Sequence, residues 1–294
     1  MKDLFKIWYG FCLNIGTAIL GIEKVKYLDA LLRFKRRINF KNPKTLSDKI
    51  CYLEININKD DDLITQCSDK AEVRNYVRDM GMENILIPCI GIYDRVEDIH
   101  FENLPKCFVL KATHGCGMNI ICKDKKELDW DQALKTMNKW LSKPYYRACI
   151  EPHYLKIKPQ IICEEYLDVP NGIIDYKFHC MNGEPLFVSV YSEREKELKL
   201  NVYDLEWRPI PNAIQGKVIN DKEIERPRQL EDMIKVSKIL SKEFVFTRVD
   251  LYEVNDKIFF GELTFSPATG VMPYYTDDFL LKYGEVLDIT KFIG

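Results

Sequence analysis

The stretch VFTRVDLYEVNDKIFFGELTFS, residues 245–266, reads as two apolar strands on either side of Asn255-Asp256, a hairpin signal. Each strand carries an acid among apolar neighbours: Asp250 on the first and Glu262 on the second. With a period of two, Arg248 and Asp250 share one face, and Glu262 and Thr264 share another. Loop length decides whether the two faces coincide. A two-residue loop pairing Val254 with Lys257 puts Asp250 opposite Gly261 and sends Glu262 to the other side. A three-residue loop puts Asp250 opposite Glu262 and Arg248 opposite Thr264, on one face. Two converging carboxylates without a neutralising partner are costly, whereas Mg²⁺ takes a few hard oxygen ligands together with phosphate oxygens. The competing reading pairs one acid with Arg248 and leaves the other solvated; the apolar flanks argue against it.

Upstream, CFVLKATHGCGMNIIC (107–122) sets Lys111 at the end of a strand, then a loop containing Gly115 and Gly117, then a further strand. Glycine allows backbone N–H groups close to an anion, and a strand-borne lysine adds a fixed positive charge. A plain β-hairpin with a glycine turn fits that segment equally well, since it is neither a Walker loop nor a dinucleotide fingerprint. In QIICEEYLDVPNGIIDYK (160–177) an apolar strand ends in Glu164 and Glu165, and the next strand alternates Asp175, Lys177 and His179 with apolar residues. Those three share a face, which reads as solvated for His179 and less so for Lys177.

The 294 residues are 46% hydrophobic and 30% charged, the balance of a globular chain with a sizeable core and room for two units. A net charge of -2 provides no global basic field, so nucleic acid is not an expected partner. Ten cysteines without a Cys-x-x-Cys pair read as small buried hydrophobes, and with no secretory signal they point to a reducing cytoplasm. Ile7 to Ile22 is a run of 16 uncharged residues, short of a bilayer span and diluted by three glycines. It reads as a helix packed on the main body, with an interfacial helix followed by Arg33, Lys35, Arg36 and Arg37 as the alternative.

Helices are expected in 42–58, from Ser68-Asp69 to Gly81 with Val73, Tyr76, Val77 and Met80 inward, over 127–141 and near 223–242. Strands are expected at 84–92, 107–112, 160–167, 174–181, 185–192, 198–204, 244–254 and 258–265, with a hairpin turn at Asn182-Gly183. The mixture predicts an α+β architecture.

Seven strings in order, NPKTLSDKI (42–50), SDKAEVRNYV (68–77), FVLKATHGCGMN (108–119), IICEEYL (161–167), DYKFHCMNG (175–183), TRVDLY (247–252) and GELTFSPATG (261–270), resemble the ATP-grasp superfamily, most closely its TupA-like branch. That branch is associated with bacterial polysaccharide and teichuronopeptide biosynthesis. The resemblance implies two α+β subdomains clamping ATP between antiparallel sheets. Residues 1–66 would be an N-terminal helical extension and 67–294 the ATP-grasp domain, divided into 67–165 with the glycine-rich flap and 166–294 with the metal-binding part.

Residue by residue, the resemblance implies that Arg74, where the family usually has lysine, and Lys111 contact phosphate. The flap from Thr113 to Asn119 includes His114, Gly115 and Gly117. Glu164, Glu165 and Leu167 lie in the adenine hinge, Asp175 is the ribose-binding acid and Lys177 the basic residue after it. Asp250 and Glu262 are implied as Mg²⁺ ligands, with Thr264 where many members have asparagine, and Arg248 lies near the transferred phosphoryl group. The implied reaction joins a carboxylate to an amine through an acylphosphate, with ATP and Mg²⁺ required, on a small-molecule or glycan substrate of surface-polymer synthesis. A sugar kinase on the same scaffold and a glycosyltransferase or glycan-binding component are the alternatives. Peripheral membrane contact through the N-terminal helix and the oligomeric state stay open.

Overall fold

The structure, a computed structural model, describes residues 2–145, 147–169, 172–192 and 198–293. The chain opens with helices α1 (Lys2–Leu20), α2 (Ile22–Phe34), α3 (Leu46–Asn56), α4 (Asp62–Ser68) and α5 (Val73–Asp79). Strands β1 (Cys89–Tyr93), β2 (Phe108–Ala112) and β3 (Asn119–Cys122), helix α6 (Trp130–Leu141) and strand β4 (Ile161–Glu165) follow. Then come β5 (Asp175–Met181), β6 (Glu184–Ser192), β7 (Lys199–Tyr203), α7 (Leu230–Ser241), β8 (Phe246–Val254), β9 (Lys257–Thr264) and α8 (Asp277–Val286). The strands form two antiparallel sheets, ordered β1-β4-β2-β3 and β7-β6-β5-β8-β9.

Local chemistry sets the helix ends. Thr45 accepts the Asp48 N–H while Asp48 accepts the Thr45 N–H, a capping box that starts α3 and leaves Leu46, Ile50 and Leu53 on its buried stripe. The helix expected from Ser68-Asp69 begins later: Ser68 closes α4, and the Asp69 carboxylate accepts the Ala71 and Glu72 N–H groups in a turn before α5. The strand expected over 84–92 shortens to β1, because a 3₁₀ turn occupies Glu83–Ile85 and Pro88 has no N–H to donate. The helix expected over 223–242 starts at Leu230, after Pro227. Helix α8, capped by Thr276, had no counterpart among the sequence expectations.

The four-stranded sheet buries Phe108, Leu110, Ile161 and Cys163 against Met137 of α6. The five-stranded sheet is covered on both faces. On one, Leu230, Met233 and Leu240 of α7 pack on Phe178, Val188, Val190 and Val249. On the other, α3 and α8 close over Phe187 with Leu46, Ile50, Phe279 and Tyr283. Gly284 permits that closure, since a Cβ there would lie 2.1 Å from the Lys44 carbonyl oxygen. Helix α2 packs through Ala30 on Cys51 and Ile55, and α1 through Leu13 on Val25 and Ile150.

The β8–β9 hairpin departs instructively from expectation. Its turn is the two-residue kind, pairing Val254 with Lys257, with Asn255 and Asp256 at φ of 52° and 58°. Asp250 nevertheless lies opposite Glu262 and Arg248 opposite Thr264. A bulge absorbs the difference: Leu251 pairs with Phe260, and Gly261 is the extra residue that shifts the register by one. The turn half and the site half of one hairpin therefore run in different registers. A glycine suits the position, since an added Cβ would press at 3.0 Å on the Asp250 carbonyl oxygen and on the Tyr252 ring.

Candidate active site

Between the two sheets lies a cavity of about 290 Å³. From the smaller sheet and the helices before it come Lys70, Arg74, Lys111, Gly117 and Glu164; from the larger sheet come Lys177, Asp250 and Glu262. Their positions follow from strand alternation. On β2 and β4, Lys111 and Glu164 share the face turned to the cavity, while Leu110 and Cys163 turn to the core.

Glu164 sits between two cations. Its Oε1 accepts from Arg74 at 3.0 Å and its Oε2 from Lys111 at 2.7 Å. The smaller-sheet side of the cavity thus carries an internal counter-anion held by two charge-assisted bonds. Lys70, not singled out in the sequence reading, reaches the same space and donates to the Gly115 carbonyl at 2.5 Å, fastening the glycine loop. Its signal lay in plain view, a lysine following the aspartate that organises the turn before α5.

On the larger sheet, Asp250 is clasped rather than left bare. Arg248 Nε and one of its Nη atoms donate to the two carboxylate oxygens at 2.7 and 2.8 Å, and Lys177 also bonds Oδ2. This corrects the premise that the two acids converge with no neutralising partner, because Arg248 and Lys177 lie on the same face as both. Burial alone would raise the Asp250 carboxyl, but Arg248 and Lys177 outweigh it and hold it below the ordinary aspartate range. Burial likewise opposes charge on Arg248, and Asp250 more than restores it, so the guanidinium stays protonated. Glu262 Oε1 accepts from Thr264 at 3.0 Å and from Arg248 at 3.4 Å, while Thr264 Oγ accepts from Arg248 at 3.0 Å. Asp175 lies beneath, buried, with Lys177 at 3.9 Å.

Other residues named from sequence lie elsewhere. His114 is buried with Nε2 3.2 Å from the Trp140 carbonyl oxygen, away from the cavity lining, and burial lowers its pKa. Gly115 packs against Tyr145, Glu165 is exposed at the end of β4, and Leu167 is half-buried beyond it. The face of β5 that read as solvated is covered: His179 is buried against Phe187, with its Nε2 near Ser189 Oγ at 3.2 Å and Tyr275 Oη at 3.1 Å. Burial first, then Arg248 and Lys177, drives its pKa far down, so it is a neutral core histidine. Of the ten cysteines, five are buried and Cys12 and Cys116 are exposed.

A family model described as TupA-like ATPgrasp matches residues 48–287. The chain belongs to this family. The resemblance stated from the seven strings is thereby shown, and the two antiparallel sheets are the ATP-grasp architecture it implied. Among solved structures, an ATP complex of D-alanine–D-alanine ligase from Bacillus anthracis is 16% identical, covers 75% of this chain and 66% of its own, and has a TM-score of 0.42. The Helicobacter pylori D-alanine–D-alanine ligase is 14% identical, with coverages of 83% and 69% and a TM-score of 0.45. An L-amino acid ligase from Bacillus licheniformis is 14% identical, with coverages of 71% and 45% and a TM-score of 0.46. This TupA-like chain spans about two thirds of the length of the Bacillus anthracis ligase and under half that of the L-amino acid ligase. Comparison with curated proteins finds no match.

Whether the residues suit Mg²⁺ turns on the donors. Among the described residues no group of three or more His, Cys, Asp or Glu is placed to hold a metal. The pair Asp250 and Glu262 supplies hard carboxylate oxygens, facing across the hairpin, and no soft ligand. Glu262 is the accessible one, its side chain 38% exposed, whereas Asp250 is buried, with Arg248 and Lys177 engaging three of its roughly four acceptor positions. Thr264 Oγ is engaged by Arg248 and Glu262. The set fits a hard divalent cation shared with phosphate oxygens.

Proposed function

We propose that this chain is an ADP-forming carboxylate–amine ligase acting in bacterial surface-polysaccharide biosynthesis, the reading that its family and its cleft support best. The observation that carries it is the convergence, between two antiparallel sheets, of Arg74, Lys111 and Lys177 with the carboxylates of Asp250 and Glu262. Residues 67–165 and 166–294 would be the two jaws, with 1–66 as an extension.

In the proposed reaction a substrate carboxylate oxygen attacks the γ-phosphorus of ATP and the bond to the β,γ-bridging oxygen breaks, leaving ADP and an acylphosphate. A neutral amine then adds to the acyl carbon, phosphate departs with the electron pair of the C–O bond, and the amine proton passes to the departing phosphate. Mg²⁺ held by Glu262 and Asp250 would offset charge on the phosphates. The chain's own work is positional and electrostatic. Lys111 and Arg74 meet phosphate oxygens once Glu164 yields them. Arg248 and Lys177, fixed by Asp250, place positive charge where the transferred group passes. Gly117 lets the flap backbone approach it, while Asp175, the implied ribose acid, is buried beneath Lys177 and outside the cavity lining, where it supports Lys177. The adenine edge would meet backbone groups at Glu164–Leu167. Glutamate, lysine and arginine here need no pKa suited to proton transfer, which fits a phosphoryl transfer in which the protein does little covalent chemistry. The compartment we propose is the cytoplasm, where ATP is available and thiols stay reduced.

The test is a thermal shift with Mg·ATP, Mg·GTP and a uridine diphosphate sugar on the wild type, Lys111→Ala and Asp250→Asn, because a ligand bound to the native state alone raises the melting point. Stabilisation by Mg·ATP lost in both variants supports the cleft; a response to the nucleotide-sugar alone favours a glycosyltransferase. Incubation with candidate uronic acids and amines then decides the chemistry. ADP, free phosphate and an amide support the ligase, AMP overturns the acylphosphate route, and phosphate retained on a sugar identifies a kinase.

A further inference from the structure

The first two helices present an apolar stripe that no other described residue covers. On α1, Trp8, Phe11, Ile15 and Ile19 recur at helical spacing on one side, with Trp8 and Phe11 each 63% and Ile19 75% exposed. Leu13 and Gly16, on the opposite side, face α2 and Ile150. Helix α2 extends the stripe with Leu28 and Leu32, the latter 71% exposed. Monomeric proteins scatter exposed apolar residues singly; a continuous stripe over two helices marks a surface with a partner.

Charge identifies that partner. Residues 1–41 contain nine Lys or Arg and three Asp or Glu, so residues 42–294 hold the other 34 bases and 42 acids. A segment of formal charge +6 is thus joined to a body of -8. Lys24, Lys35, Arg37 and Lys41 are exposed on the same segment, with Arg33 tied to Asp29, against Glu23 alone among exposed acids from residue 8 to residue 41. A cavity of about 470 Å³ joins the two features, with Leu20, Leu28 and Phe40 as apolar walls and Lys24, Arg37 and Lys41 among its lining. No helix of the described residues is long and apolar enough to cross a membrane, so the stripe calls for a surface and not a span.

We propose that α1 and α2 form a docking element for an anionic lipid surface, the apolar stripe entering the headgroup boundary and the basic residues meeting lipid phosphates. A second copy of the chain fits less well, because two such faces brought together would oppose their positive charges. Apolar area and basic charge act together in such binding, each Lys or Arg near an anionic surface contributing about a fivefold factor.

The experiment is sedimentation of the full chain with vesicles of phosphatidylcholine alone and of phosphatidylcholine mixed with phosphatidylglycerol, at low and high salt. Trp8 emission is followed in parallel, against Trp8→Phe. The expected result is pelleting with the anionic vesicles only, a Trp8 blue shift, and weakening by salt. Lys24→Glu with Arg37→Glu and Lys41→Glu lowers the partition by about a hundredfold or more. Ile19→Asp with Leu32→Asp lowers it by at least about tenfold, while the thermal shift with Mg·ATP is unchanged, since neither set touches the cleft. Equal binding to neutral vesicles, or no binding by a chain that melts cooperatively, overturns the proposal. Concentration-dependent dimerisation abolished by Ile19→Asp, without vesicle binding, assigns the stripe to a second copy instead. All of these outcomes are independent of whether the cleft proves to be a ligase.

Discussion

Replacing Asp250 with asparagine keeps the shape of the side chain and removes the charge that Arg248 and Lys177 share. Arg248 and Lys177 are 10% and 5% exposed at the side chain, so the two cations are left without their principal counter-charge in a place water barely reaches. Breaking a buried pair in this way costs about 3–5 kcal/mol. The lower end applies here, because Arg248 keeps Thr264 at 3.0 Å and Glu262 at 3.4 Å, and Lys177 keeps Asp175 at 3.9 Å. We expect about 3 kcal/mol, which at about 2 °C per kcal/mol for a chain of this size is a fall of about 6 °C in Tm. The assay is urea unfolding by circular dichroism together with calorimetry. The stringent part is the double-mutant cycle of Asp250→Asn and Lys177→Met: the double variant should lose less than the sum of the two single losses by about 1 kcal/mol or more, although Asp175, left without Lys177, keeps it below wild type. If Asp250→Asn loses less than about 0.5 kcal/mol, or if the two single losses simply add in the double variant, the clasp does not carry the charge balance argued for it.

Gly261→Ala should cost about 1–3 kcal/mol in urea unfolding, since its Cβ would press on the Asp250 carbonyl oxygen and the Tyr252 ring at 3.0 Å; it should also weaken any Mg·ATP response, because the bulge sets Glu262 opposite Asp250. Gly284→Ala should cost about 3 kcal/mol by forcing α8 off the Lys44 backbone, yet leave ligand responses proportionate to the folded fraction. Glu151 is pushed up to about 7, by burial first and then by Glu54, against Lys26 and Arg147. A raised carboxyl stabilises the fold fully below its unfolded value near 4.5 and loses that contribution as pH climbs to about 7, so wild-type stability minus that of Glu151→Gln should decline across this window and be flat above it. A difference curve that rises with pH there would refute the assignment.

How much of the site could be read in advance depends on the kind of information each residue carries. The facing of Asp250 and Glu262 was legible, because alternation and a hairpin signal restrict the possibilities to two registers. The route was not: the chain uses the two-residue turn and recovers the other register through Gly261, and a strand glycine alone does not say which way the ladder slips. Lys111, Glu164 and Lys177 could be placed on strand faces, but that Glu164 holds Arg74 and Lys111 depends on β2, β4 and α5 meeting in space. His179 shows the same limit from the other side. Its face was readable, whereas its cover, α8 with Tyr275, comes from a segment about a hundred residues later whose helix was not read. His114 lies in the glycine loop and turns to Trp140, since loop side chains follow no period.

Glu164 also bears on which anions the cleft can admit. Arg74 and Lys111 are not vacant hosts; they share one carboxylate of the chain. An incoming anion therefore competes by exchange, and its gain is the difference between its own bonds and those it undoes. A small oxyanion offering one or two contacts returns little more than Glu164 provides. A polyphosphate that also reaches Lys70, Lys177 and the flap amides gains at several points for the same displacement. Simple phosphate and sulfate are therefore expected to bind more weakly than a polyphosphate, and without a ligand Glu164 offsets part of the positive charge of Arg74 and Lys111.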